Sequence, residues 1–134
     1  MKRSFLAFLA FFLLFVWFPL EAQDFRVGGS IVGTVEENGD VRIKGAIVGR
    51  FEESGDIRVG GSIQGRIEDG GDIRKGGSIV GRVEPSGDVR IDGKIAGRIE
   101  SNGDIRKGGK IIGSAGGILP ARAAVLYFFG FFKF

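Results

Sequence analysis

An aspartate recurs every 16 residues, at Asp24, Asp40, Asp56, Asp72, Asp88 and Asp104, and each opens the same run of side chains. Aligned on them, the units read DFRVGGSIVGTVEENG, DVRIKGAIVGRFEESG, DIRVGGSIQGRIEDGG, DIRKGGSIVGRVEPSG and DVRIDGKIAGRIESNG, then an incomplete DIRKGGKIIGS. They occupy 24–39, 40–55, 56–71, 72–87 and 88–103, with the partial unit over 104–115. Such a period constrains the fold more than any local propensity, because each unit is one supersecondary element that buries its apolar face only against copies of itself.

Ahead of the array, Lys2 and Arg3 precede an apolar run over 5–18, Pro19 breaks it, and Ala22 supplies a small residue. This is the tripartite form of a secretory signal peptide over 1–22, cleaved between Ala22 and Gln23. A 14-residue apolar run is shorter than the ~20 residues a spanning helix needs. The expected product is one repeat domain, 23–134, that is periplasmic, in the cell envelope or extracellular. Of the 19 basic and 16 acidic residues, cleavage removes Lys2, Arg3 and Glu21, so the remainder is nearly balanced. With no Cys in the chain, no disulfide framework is available and packing must hold the domain.

Within a unit the residues alternate as in strands: Ile67 and Ile73 point one way, Arg66, Glu68, Asp72 and Arg74 the other. Opposed residues of a hairpin share a face, so Ile67 faces Ile73, Glu68 faces Asp72, and 69–71 form a three-residue loop. Such a loop is a type I turn closed by a left-handed residue, where glycine has no Cβ to clash. Gly39, Gly55, Gly71, Gly87 and Gly103 occupy that place, and Pro85 suits the first loop position. Opposed Glu68 and Asp72 would repel, but Arg74 and Arg66 lie diagonally across from them. The aspartate then reads as a strand-start residue with a diagonal arginine. In the second connection, 75–78 and its equivalents, a two-residue turn would set Arg74 opposite Ile79 and mix the faces. It is therefore read as a step between hairpins. Three apolar positions per unit, as in Ile57, Ile63 and Ile67, are expected to face inward, with Gly65 making room on the same face. The aperiodic tail, 118–134, ends in AAVLYFFGFFKF. It reads as a core strand or plug docked on the array, or alternatively as a lipid or partner contact.

Units of the form xIxGRxExxGDIRxxG behind a signal peptide, with a short AAVxxFFxFF-like tail, resemble the five-fold beta-flower proteins exported by Gram-negative bacteria. The likeness covers 23–134 and rests on the GRIE, GDIR and aromatic-tail elements. It implies an all-β fold of five 16-residue β-hairpin repeats in a closed pseudo-five-fold ring, the aromatic tail docked on it, and no assigned activity. The Gly-Gly pairs of the second connection, Gly28 and Gly29 for example, depart from that pattern. The architectural alternative is a short β-helix resembling bactofilin.

The chain has no His and no Cys, which removes the usual general base, thiolate nucleophile and transition-metal ligands. Carboxylate pairs such as Glu68 and Asp72 recur beside arginines in every unit, so none stands out as a catalytic pair. The 37–40 loops offer oxygen ligands, but their spacing matches neither an EF-hand nor a calcium-binding β-roll. Arginines recur at two repeat positions, Arg26 to Arg106 and Arg50 to Arg98, with acids beside them that cancel the field nucleic acid would need. Sugar platforms commonly use aromatic faces, and the repeats hold only Phe25 and Phe51. The reading is a non-enzymatic structural or interaction module with no catalytic, cofactor or metal residues, no nucleic-acid partner and no transmembrane span after cleavage. Its partner is an unidentified envelope protein or polymer, and its oligomeric state stays open. The alternative is a binding module for a lipid or other apolar ligand at the ring axis or the tail.

Overall fold

The structure, a computed structural model, describes residues 22–134; the expected signal peptide lies outside the described residues up to its last position. Twelve strands run in order: β1 (Gln23–Val27), β2 (Ser30–Val35), β3 (Asp40–Ile43), β4 (Ala46–Phe51), β5 (Asp56–Val59) and β6 (Ser62–Ile67), then β7 (Asp72–Lys75), β8 (Ser78–Val83), β9 (Asp88–Ile91), β10 (Lys94–Ile99), β11 (Asp104–Lys107) and β12 (Lys110–Ser114). Each pairs antiparallel with its sequence neighbours, and β1 pairs with β12 to close a barrel. A helix, α1 (Pro120–Phe128), comes after β12. The all-β closed ring is thus as expected. Antiparallel pairing throughout is not the parallel coiling of a β-helix.

The ring has six hairpins where five were expected, because the partial unit keeps both its strands and lacks only the link that would lead to another unit. Geometry favours the larger number. Twelve strands about 4.8 Å apart enclose a backbone circle roughly 18 Å across before tilt widens it, against roughly 15 Å for ten. An axis-to-wall distance of about 9 Å matches the 8–10 Å at which a helix packs on its neighbours, and α1 lies inside with Ala123, Ala124, Val125 and Leu126 buried.

The three-residue link forms as the register requires. The Glu68 amide donates to the Asp72 carbonyl and the Gly71 amide to the Glu68 carbonyl, both at 2.9 Å. Gly71 has φ +95°, and a Cβ there would also meet the carbonyl oxygen of Val83. The second connection is a hairpin too, which corrects the expected step between hairpins. Its two residues are both left-handed, as at Gly76 (φ +59°) and Gly77 (φ +87°), the turn whose twist matches flanking strands. Lys75 pairs with Ser78 and Arg74 with Ile79; a bulge then restores phase, so Ile73 pairs with Gly81 and Asp72 with Arg82. The extra residue of the bulge resolves the mixing of faces.

The bulge brings two further corrections. Ile63 faces out rather than in, 53% exposed, while Ile57 is fully buried and Ile67 packs against the core. Each aspartate of the interior units has its arginine directly opposite across the bulged hairpin, as in Asp72–Arg82 at 3.1 Å, not diagonally. The diagonal bond belongs to the glutamate instead: Arg74 Nε to Glu68 Oε1 is 2.7 Å.

Gly65 does face inward, and every unit uses that glycine in the same way. A Cβ on Gly65 would stand 2.8 Å from the Phe131 ring and collide with the Arg74 carbonyl. Around the barrel, Gly49 meets Phe132, Gly65 Phe131, Gly81 Phe129, Gly97 Phe128 and Gly113 Tyr127. The tail thus descends through the units one ring at a time. The sixth seat, at Gly33, is filled by Phe25 from the wall itself, where the other units carry Val or Ile. Phe134 then lies edge-on to Phe25 at 5.2 Å between centroids. The tail is a plug, as expected, but a helical one: Pro120 begins it and alanines line it, small enough for a core walled by glycines and rings.

The closing pair is held by Tyr127. Its hydroxyl lies within hydrogen-bond reach of the Arg26 and Ser114 carbonyls, which belong to directly paired residues of β1 and β12. Burial pushes its phenol up to about 12 from 10.0. The sign is that of an acid kept neutral by folding: the contribution is complete below pH ~10, where the unfolded phenol also holds its proton, and is lost as pH rises through about 12. Urea midpoints measured from neutral to alkaline pH should fall more steeply for the native chain than for Tyr127→Phe, itself about 1 kcal/mol less stable at neutral pH. Parallel alkaline limbs would refute the clip.

Candidate interaction surface

Because the two kinds of connection alternate, they gather at opposite ends of the barrel, and with them the charges. The three-residue links and their flanks carry every described glutamate, Glu36, Glu37, Glu52, Glu53, Glu68, Glu84 and Glu100, together with Asp69. The two-residue turns and their flanks carry Lys44, Lys75, Lys94, Lys107 and Lys110, and Lys133 precedes Phe134, which lies beside Lys44 and Gly45. Asp92 is the acidic residue at that end. The helix runs from the glutamate end to the lysine end, so its partial charges oppose the side chains at both termini. At its C-terminus Lys75 Nζ donates to the Phe129 carbonyl at 3.0 Å and stands over the Phe131 ring. Lys107 similarly stands over Phe128.

Between the ends, arginines tie one hairpin to the next. Arg58 Nε meets Glu52 at 2.7 Å and its Nη1 donates to the Gly61 carbonyl at 3.1 Å, so one guanidinium braces a link against a turn. Arg74 and Arg90 repeat this with Glu68 and Gly77, and with Glu84 and Gly93. These pairs are 30–40% exposed, where each is worth at most about 1 kcal/mol, so they set register more than stability.

The lysine end has a second component that the alternation pattern hid. Ile31, Ile47, Ile63, Ile79, Ile95 and Ile111 stand on the outer wall next to the two-residue turns, each 52–56% exposed. The signal for them was present: Gly-Gly, Lys-Gly and Asp-Gly are strong two-residue hairpin pairs, and accepting that turn puts Ile79 on the face of Arg74.

Chemistry elsewhere is balanced. A cleft of about 760 Å³ at the glutamate end is lined by Glu84, Pro85, Arg98, Glu100 and Pro120. Its glutamates are engaged by Arg90 and Arg106. Among the described residues, no buried side-chain polar atom lacks a partner and no cluster of acidic residues is placed to hold a metal ion. No helix among them is long and apolar enough to cross a membrane. The strands, four to six residues long, are shorter than the ~9–11 that a spanning barrel uses, and their outer faces carry the Asp–Arg pairs. No protein-family model, curated protein or solved structure matches the chain.

Proposed function

We propose that the chain is an exported, non-enzymatic interaction module that docks on a cell-envelope partner through one end of its barrel, and that it is a six-unit relative of the beta-flower proteins it resembles. The observation that carries this is the segregation of all described lysines and glutamates to opposite ends of a six-fold repeated ring. Repetition around one edge suits many weak contacts engaged together. An apolar ligand on the axis is the weaker reading, because the chain's own rings already fill the glycine seats there.

The exposed Lys44, Lys94 and Lys110 can be neutralised singly, in pairs and together, and the same done with Glu37, Glu53 and Asp69 at the other end. Recovery of cross-linked material from envelope extracts should fall in steps of roughly 3-fold per charge for one end only. Loss of all recovery on a single substitution, or no change at either end, would overturn the reading.

A further inference from the structure

We propose that the turn end of the barrel is a membrane-docking rim that rests on an anionic lipid surface, its six isoleucines in the headgroup boundary and its lysines against lipid phosphates. This deepens the docking reading above and rests on it. Two observations converge on the rim. The isoleucines, each 52–56% exposed, recur in all six units beside the two-residue turn, a girdle in which isoleucines on alternate strands are interleaved with arginines such as Arg74. The exposed cations at the turns, Lys44, Lys94 and Lys110, have apolar stems that can lie along the wall while the ammonium reaches lipid phosphate, whereas arginines across from the isoleucines are held by glutamates, as Arg74 is by Glu68.

The placement of the isoleucines selects the occupant. They stand on the outer wall all the way round a ring roughly 18 Å or more across, so a rigid partner seated on the end face could not reach them together. A fluid interface into which the rim sinks by one residue covers them at once. Stacking on the glutamate end of a second copy would match the charges but leave the girdle in water. The rim carries isoleucines and exposed lysines together, with Asp92 the acidic residue in its turns, which suits the boundary of a bilayer rather than its hydrocarbon interior.

The chain has no cysteine, so one introduced thiol gives a unique label. An environment-sensitive fluorophore is placed in the full chain at Ile79→Cys on the rim or at Asp69→Cys on the opposite end. Each is mixed with vesicles of phosphatidylcholine, with and without phosphatidylglycerol. The rim label should shift to the blue and be quenched by headgroup-depth quencher lipids only with the anionic vesicles, and the response should fade at high salt. The Asp69→Cys label should stay in water. Lys44→Gly, Lys94→Gln and Lys110→Gln together should weaken vesicle binding about 100-fold, and Ile47→Ser, Ile63→Ser and Ile79→Ser by roughly 30–100-fold. A rim label that stays in water, responds equally to neutral vesicles, or becomes shielded through self-association without lipid overturns the proposal. Stepwise loss of envelope recovery from lysine neutralisation alongside a dry rim label would leave the docking reading standing and remove the lipid.

Discussion

Ending the chain after Leu126 should abolish cooperative unfolding. That truncation removes Tyr127, Phe128, Phe129, Phe131 and Phe132, the rings that fill five of the six glycine seats, and with them the hydroxyl that clips β1 to β12. Removing one buried phenylalanine to alanine costs about 3–5 kcal/mol, so losing the whole set exceeds the ~5–15 kcal/mol by which a domain is normally stable. Urea titration followed by near- and far-ultraviolet circular dichroism should show a broad, non-cooperative change. Phe134→Ala serves as the contrast, since Phe134 is 44% exposed and its loss should cost no more than about 1 kcal/mol. A truncated chain that still melts sharply would mean that the wall is stable alone and the rings are ornament to it.

Excising one whole unit, 56–71, should be nearly as damaging, and for a different reason. Nearly every contact between adjacent hairpins can be rebuilt after the excision, because β7 offers β4 the same side chains that β5 did, except Lys75 in place of Val59. In an open solenoid the result would be a shorter array that still folds. In this barrel the ring falls to ten strands, its backbone circle shrinks to roughly 15 Å, and α1 no longer fits along the axis. Phe131 also loses Gly65, its seat, while the rings on either side keep theirs. The expected outcome is loss of cooperative folding or of the parent's association state, read by calorimetry and light scattering. A monomer that melts within a few degrees of the parent would show that closure and plug are not coupled.

The residues themselves made legible the features that lie within reach along the chain. The three-residue link, its left-handed Gly71 and the Arg74–Glu68 pair come from parity and from the absence of a Cβ. The inward glycine at Gly65 was legible as a place where something crowds, and the tail as the thing that docks. Its helical form had signals of its own, Pro120 at the start and alanines at Ala121, Ala123 and Ala124, which the reading as a core strand or plug did not use. The outward turn of Ile63 and Ile79 was missed because strict alternation was applied through the second connection. The bulge that breaks alternation there adds one residue to one strand, and its only local trace is a turn pair that favours a tight hairpin.

The sequence by itself determined the unit: its period, its three-residue turn and the inward glycine. Those depend on steric and hydrogen-bonding rules acting over a few residues. Only the tertiary structure decided that six units close where five were expected, that a helix fills the axis, and that each ring of the tail belongs to a particular glycine. Ring size is a balance between the curvature of the wall and the volume of the plug it encloses, and neither can be evaluated until both exist. The same closure turns a repeated pattern of charge along the chain into a barrel with a cationic, isoleucine-girdled rim at one end and a carboxylate crown at the other.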